Sequence, residues 1–417
     1  DLPAHETTNL SAYNKFGCVS IREVYHAIFH TMSGKHRDAL IRQLYWRDFY
    51  YYVAWYFPHV LSANSKSPSN RNFKPNYKHV RWYSDRPDYV DRMMSRSSRY
   101  LFYIVEEVER RKMPMELALL PFIESAFNPE AFSRAKASGM WQFMPATGKS
   151  FDLKQNVFRD DRRDVQASTR AALDYLERLY KQFGDWHLAL AAYNWGEGNV
   201  GKAIARNQKA GLAAGYTDLS MPMETRFYVP KLQAIKNIVA RPAKHALKLP
   251  DIPNHPYFQS VPLPRDMDVS VAAKLAEVSL DDFKSLNPSA HRPVLLAAGT
   301  PQILLPWDNA EIFQRNYEAF GGARLASWTA WVAPATMKVA EAAKRAGMSE
   351  GEFRAVNNIP PRMLVKAGSV LVVPRQGLRD EDVTSTLADN GQLNLAAESV
   401  AHKAAKSKGK EIGRAHV

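Results

Sequence analysis

Between residues 92 and 240 the apolar positions recur at helical spacing. Leu101, Ile104, Val105 and Val108 fall at i, i+3, i+4 and i+7, which puts them on one face of a helix with charged residues on the other. Pro114 suits the first turn of a second helix, where a missing N–H costs nothing. The stretch DVQASTRAALDYLERLYKQFG predicts a longer helix with Asp164 as N-cap, Leu173, Leu176, Leu179, Tyr180 and Phe183 facing inward, and Gly184 as the stop. Two more helices are expected near WHLALAAYN and ETRFYVPKLQAIKNIV. This middle region therefore predicts an all-α domain.

Beyond residue 245 the pattern changes to short apolar runs flanking short helices, and it repeats. VSVAAKLAEVSLDDFKSLNPSAHRPVLLAAGTPQILLP aligns with MKVAEAAKRAGMSEGEFRAVNNIPPRMLVKAGSVLVVP, matching Ala272 to Ala342, Phe283 to Phe353, Asn287 to Asn357 and Pro306 to Pro374. Each copy reads as strand, two helices, strand. From residue 378 onward the chain is polar and Lys/Ala-rich without a periodic apolar face, so disorder is expected over 378–417. Its final EIGRAHV resembles a translated sequencing adapter. Residues 1–81 differ again: they are aromatic and basic, with 11 Lys/Arg against 5 Asp/Glu.

Bulk properties narrow the partners. A net charge of +14 favours a polyanion such as nucleic acid, anionic lipid or an acidic wall polymer, and charge alone does not choose among them. No apolar run approaches the ~20 residues of a membrane span. The opening DLPAHETTNL shows neither a charged nor an apolar leader segment, so no secretion signal is visible. The single Cys18 rules out an internal disulfide and a cysteine-based zinc site.

The helical region holds four stretches with chemistry: PFIESAFNP with Glu124 and Ser125, SGMWQFMPATG with Met140 and Gln142, LAAYNWGEG with Tyr193 and Asn194, and PMETRFYVP with Glu224 and Tyr228. A glycosidic oxygen leaves poorly until protonated, so a glycosidase needs an acid that stays neutral near pH 7. Glu124 sits between LALLPFI and Ala126–Phe127, an apolar setting that raises a carboxyl pKa by desolvation. Ordinary glycosidases pair two carboxylates. The acidic residues nearest in sequence, Glu130 and Asp152, lie outside these stretches, and no second carboxylate presents itself.

Together, from about Trp82 to Val239, the four stretches resemble the family 1 lytic transglycosylases, whose fold is related to goose-type lysozyme. The resemblance implies that Glu124 alone gives and then takes the proton. By that resemblance it would cleave the bond between N-acetylmuramic acid and N-acetylglucosamine in peptidoglycan, while the muramyl 6-hydroxyl would close on C1 to leave a 1,6-anhydro end. It further implies substrate-binding roles for Ser125, Met140, Gln142, Tyr193, Asn194 and Tyr228, the last also through a hydrogen bond to Glu124. Glu224 would support the fold or the site. Met140, Trp141, Phe143 and Trp195 suit the apolar faces of sugar rings and equally suit a core.

The two repeats, 261–307 and 327–375, resemble LysM modules, small βααβ units that bind N-acetylglucosamine-containing glycans. Val339, Ala342, Phe353, Asn357, Gly368 and the strand VLVVP carry the likeness in the second copy, where Ala333–Thr336 stand in for the usual Gly-Asp-Thr turn. Thr336 and Asn357 are the candidate glycan-binding residues of that module. Residues 1–81, through TTNLSAYNKFGCVSIREVYH, QLYWRDFYYYV and NFKPNYKHVRW, resemble a fragment of the flavin-binding domain of DNA photolyases and cryptochromes. That likeness would set Thr8 and Ser11 near flavin phosphates and Trp46 and Arg47 near flavin or base. A half-domain cannot enclose the flavin, so a chimeric, foreign and incomplete segment is expected, without flavin function.

The expected architecture is mainly α: a lysozyme-like catalytic domain over 82–245, two βααβ LysM-like modules, and a disordered tail. The expected activity is peptidoglycan lytic transglycosylase; the alternatives are a lysozyme-like hydrolase of the same fold or a non-catalytic LysM-type glycan-binding protein. No cofactor, no metal and no nucleic-acid partner are expected. The chain is expected to act as a monomer on peptidoglycan glycan strands in the periplasm, with attachment to the outer membrane as the family's alternative to a free form.

Overall fold

A computed structural model describes residues 77–250, 252–320, 324–375 and 381–398, together with His30. The photolyase-like positions Thr8, Ser11, Trp46 and Arg47, the lone Cys18 and the terminal EIGRAHV lie outside the described residues.

The helical body begins earlier than its sequence pattern suggests. Helix α1 (Tyr77–Ser84) runs across the expected boundary at residue 82, and its Val80 and Tyr83 are buried in the main core. Helices α2 (Pro87–Ser97) and α3 (Leu101–Arg110) follow. In α3, Ile104 and Val108 are fully buried while Leu101 and Val105 pack at the core's edge, as an amphipathic stripe requires. Pro114 stands just outside the next element as its N-cap, and that element is a 3-10 turn, Met115–Leu119, leading into α4 (Leu120–Glu124).

After α5 (Pro145–Ser150) comes the long α6 (Val165–Phe183). The Asp164 side chain accepts from the Ala167 N–H at 2.7 Å, and Gly184 closes the helix at φ +67°, a left-handed turn that glycine adopts without strain. Leu173, Leu176 and Leu179 are buried. Tyr180, expected inward, is exposed and stacks on Trp186 at 4.3 Å. Helices α7 (Trp186–Trp195), α8 (Glu197–Lys209), α9 (Met223–Arg226) and α10 (Tyr228–Ala240) complete the domain. Helix α7 is sheathed by α6, α8, α9 and α10, which explains why its run LALAA is apolar all round.

Each repeat folds as the alignment predicts. In the first copy, β1 (Phe258–Pro262) and β4 (Gln302–Pro306) pair antiparallel from Phe258↔Pro306 to Pro262↔Gln302. Between them lie β2 (Met267–Asp268), α11 (Val269–Leu275), α12 (Leu280–Leu286) and β3 (Val294–Leu295). Helix α13 (Trp307–Ala319) then packs on α11 and on the β1–β4 pair. The second copy repeats the plan with β5 (Trp328–Val332), β6 (Met337–Lys338), α14 (Val339–Arg345), α15 (Glu350–Asn357), β7 (Met363–Val365) and β8 (Val370–Pro374). Here β5 pairs with β8 from Trp328↔Pro374 to Val332↔Val370.

The repeated asparagine explains the alignment. Asn287 donates to the carbonyls of Phe283 at 3.0 Å and Leu304 at 2.8 Å, and accepts from the Leu304 N–H at 2.8 Å. Asn357 does the same with Phe353 and Val372. Each side chain locks the end of the second helix to the last strand. Both are buried, Asn357 completely.

The expected disorder from 378 onward is corrected for residues 381–398. They form α16 (Ser385–Asn390) and β9 (Leu395–Ala397), which extends β7 antiparallel through Met363↔Ala397. The segment lacks a periodic apolar face of its own, yet Val383 and Ala388 enter a cluster with Val157 and Phe158 of the helical domain and with Val294, Leu296, Val370 and Val372 of the two repeats. It is ordered by what it joins. Among the described residues no helix is long and apolar enough to cross a membrane.

Candidate active site

Helix α4 is five residues long and ends on Glu124 because the chain then turns sharply. Ala126 and Phe127 have φ of +52° and +55°, a left-handed conformation costly for side-chain-bearing residues. Their surroundings hold them there: the Phe127 N–H donates to Pro121 O at 3.0 Å, and the fully buried Phe127 ring meets Phe122 edge-on at 4.4 Å. Glu124 is thereby presented at the rim of the core, largely covered but retaining some exposed surface.

Helix α10 supplies its partner. The buried Tyr228 hydroxyl donates to Glu124 Oε1. Burial pushes the Glu124 carboxyl up to about 7; the Tyr228 hydrogen bond pulls it down, the Glu224 charge pushes it up, and Lys231 pulls it down. Burial also raises the Tyr228 and Tyr193 phenols well above their usual range, and the neighbouring Glu124 charge adds to both. Both tyrosines are thus neutral donors near pH 7.

Around this pair the four stretches converge through hydrogen bonds. Tyr193 on α7 donates to Trp141 O at 2.9 Å, and Ser125 donates to Met140 O at 2.9 Å. The loop carrying Met140–Gln142 is thus held from both sides of Glu124. Asn194 accepts from the Thr225 hydroxyl of α9 at 2.8 Å, which ties the Tyr-Asn pair to the segment holding Glu224 and Tyr228. The Gln142 amide nitrogen donates to Gly139 O at 2.9 Å, curling the half-buried side chain over its own turn at φ +50°.

Several candidates stand elsewhere than expected. The Met140 side chain is fully buried with Trp141 and Phe143, so it packs the core; what Met140 offers the site is its carbonyl, held by Ser125. Trp141 is anchored through its indole N–H to Thr169. Ser125 spends its hydroxyl proton on Met140 O and so does not donate to Glu124. Asn357 is corrected from glycan contact to internal lock: with no exposed surface and its amide filled by Phe353 and Val372, it cannot reach a ligand. Thr336 is exposed, and its oxygen accepts from the Ala367 N–H at 3.2 Å. Glu130 and Asp152 are exposed, as is Glu224, which acts on Glu124 through its field.

Other residues of the site were not singled out from sequence. Buried Arg162 donates to Lys136 O at 2.7 Å and to Phe143 O at 3.1 Å, with Asp160 gripping its far side at 2.7 Å. It pins the ends of the loop that carries Gln142. Gly139, at φ +86°, lets that loop lie against Arg162, where an added Cβ would fall 1.8 Å from the carbonyl oxygen. Met144, two residues past Gln142, is exposed and gives the loop an apolar outer surface. Only Gly139 had a readable signal, a glycine inside an otherwise apolar turn; RDDRRD reads as a solvated charge run.

Residues 103–214 match the family model "Transglycosylase SLT domain", and residues 257–321 match "Lytic transglycosylase MltD, LysM-like domain". Membrane-bound lytic murein transglycosylase D of Escherichia coli (strain K12) is 39% identical over 224 residues, 54% of this chain and 50% of that protein. Soluble lytic murein transglycosylase of the same organism is 30% identical over 135 residues, 31% of this chain and 20% of that one. The chain spans half the length or less of these curated relatives. A short match of 57 residues, 12% of this chain, is 47% identical to the (6-4) DNA photolyase of Oryza sativa subsp. japonica.

Proposed function

We propose that this chain is a peptidoglycan lytic transglycosylase in which Glu124 performs both proton transfers. The observation that carries the reading is the Glu124 carboxyl itself: largely buried, raised to about 7, and oriented by Tyr228, with the exposed Glu224 as the carboxylate whose charge it feels. A group poised near the working pH is suited to act as acid and then as base.

In the first step Glu124 gives its proton to the oxygen joining N-acetylmuramic acid to N-acetylglucosamine, and the C1–O bond breaks. Charge developing at the muramyl C1 is met by its own 2-acetamido group. In the second step the muramyl 6-hydroxyl attacks C1, its proton returns to the Glu124 carboxylate, and a 1,6-anhydro end is left. An intramolecular hydroxyl has the advantage of proximity over water, an effect worth up to roughly 7–11 kcal/mol when well oriented. Tyr228 holds the carboxyl in line. Gln142, Tyr193 and Asn194 contact the N-acetylated sugars beside it, with Ser125 fixing the loop between them. Such a substrate places the enzyme in the periplasm, with membrane association as in the D-type relative's name. The LysM-like modules keep glycan near the cleft and raise its effective concentration.

The test is mass spectrometry of the products released from purified murein. Anhydro-ended muropeptides that disappear with Glu124→Gln are expected. Reducing ends would instead make the protein a hydrolase of the same fold, and products unchanged by Glu124→Gln would remove Glu124 from the chemistry.

A further inference from the structure

The two LysM-like copies share a fold but present the corresponding loops very differently. Alignment pairs 263–266 with 333–336 and 288–292 with 358–362. In the second copy, Pro334, Ala335, Thr336, Asn358, Pro360, Pro361 and Arg362 are exposed. In the first copy Asp266, Ser289 and Arg292 are buried, Arg265, Ala290 and His291 are partly covered, and Pro264 is the one exposed residue of the two loops.

What covers the first copy's loops is the rest of the chain. The Asp160 N–H donates to Ser289 O at 3.0 Å, and the Arg159–Ala290 bridge continues that contact. His291 Nε2 lies 2.9 Å from Val157 O, and Arg292 Nε donates to the same carbonyl at 2.7 Å while its Nη1 reaches Val356 O of the second copy at 2.5 Å. The 288–292 loop is therefore wedged between the helical domain and α15.

The other loop is engaged as well. Asp266 and Thr336 occupy equivalent positions and do one job in common, accepting the N–H of Ala297 and of Ala367 respectively. Asp266 does more: its other oxygen accepts from Arg375 at 3.1 Å and from the Val383 N–H at 2.7 Å. Asp268 takes the Ser327 N–H at 2.9 Å. Two carboxylates of the first copy thus hold the chain where it enters and where it leaves the second copy. Behind them, one apolar cluster joins Val157 and Phe158 to both copies and to Val383 and Ala388.

We infer that the first LysM-like copy is an adaptor that fastens the second copy to the catalytic domain, and that loops 333–336 and 358–362 of the second copy alone face N-acetylated glycan. This rests on the reading that the repeats bind such glycans. A βααβ unit cannot use the same loops for docking and for an oligosaccharide. The pairing of a covered copy with an open one gives each a separate task. It also fixes the open loops in direction relative to Glu124, so a strand held there has a defined course past the cleft.

Two measurements on the full chain test this. Hydrogen exchange of the Glu124→Gln protein is followed with the tetramer of N-acetylglucosamine. At about ten times the dissociation constant, exchange through the unliganded state should slow roughly tenfold in 333–336 and 358–362, without change in 263–266 and 288–292. Protection of the first copy's loops, or of neither pair, overturns the inference. Spin labels at Lys181→Cys and Arg345→Cys, in a Cys18→Ser background, should give one narrow distance that broadens when Arg292→Ala is added. A broad distribution in the parent overturns the adaptor role. Product analysis on murein reads the catalytic assignment separately, so failure of either is recognisable on its own.

Discussion

Tyr228 donates its phenolic proton to Oε1 of Glu124 from a position 104 residues further along the chain. The bond opposes burial: it favours the carboxylate, whereas desolvation and the Glu224 charge favour the acid. The balance near 7 therefore depends on Tyr228 as a positioning residue for the group that transfers the proton.

Tyr228→Phe should consequently raise the Glu124 pKa further. The limb of the pH–rate profile that reports loss of the protonated acid should move to higher pH, while the maximal rate falls roughly 10–100-fold because the carboxyl loses its fixed orientation. Soluble muropeptide oligomers as substrate allow the profile to be read without the murein sacculus. A limb that stays put, or moves down, would show that the phenol does not serve the carboxylate.

The same raised pKa makes stability depend on pH. Glu124 has an ordinary value of 4.5 and about 7 in the fold, so across that window the folded state binds more protons than the unfolded one. Stability contributed by the neutral acid is present below about 4.5 and lost as pH rises through 7. Glu124→Gln, which stays neutral, should therefore stabilise the protein by on the order of 1–3 kcal/mol at pH 8 and change little at pH 4. Thermal melts at the two pH values check this, and an equal effect at both would contradict it.

The elements whose reasons are local were legible in the chain. Asp164 and Gly184 mark the ends of α6 because a cap and a left-handed stop each act within one turn. The apolar setting of Glu124 was legible because its flanking residues are contiguous in sequence. Burial decided by distant partners was not. Met140 and Asn357 looked like ligand contacts because nothing local shows that the helical core takes in the first side chain and β8 bonds the second. Residues 381–398 looked disordered because their apolar partners, Val157, Leu296 and Val372, belong to other parts of the chain.

Asn287 and Asn357 offer a direct comparison between the copies. Replacing either with Ala leaves a buried strand N–H and a strand carbonyl without partners, at a cost of about 2–4 kcal/mol, while the helix carbonyl keeps its backbone bond. Hydrogen exchange should show the loss confined to 304–305 in one variant and 372–373 in the other. Cleavage of soluble muropeptides, assigned under the proposed function to the helical domain, should be unchanged in the Asn357→Ala protein. A drop in that activity would mean that the second copy acts within the cleft itself.

Arg162 tests whether the loop that carries Gln142 must be held from behind. Its guanidinium satisfies Lys136 O and Phe143 O, and Asp160 pairs with it in a buried setting, so Arg162→Ala leaves the Asp160 carboxylate without its cation. Breaking such a pair costs roughly 3–5 kcal/mol. Arg162→Lys keeps the charge but cannot span both carbonyls and the carboxylate with one ammonium. The lysine variant should therefore fold, with a melting temperature between those of the parent and the alanine variant, yet show a raised KM for soluble muropeptides with kcat reduced less. Gly139→Ala strikes the same contact from the other side, since its Cβ would lie 1.8 Å from Arg162 O, and the loop must move to admit it. If both variants kept the parent's KM, the loop would be positioned by its other contacts, among them Ser125, Tyr193 and the Arg163–Ser138 bond, and Arg162 would be a fold residue without influence on substrate.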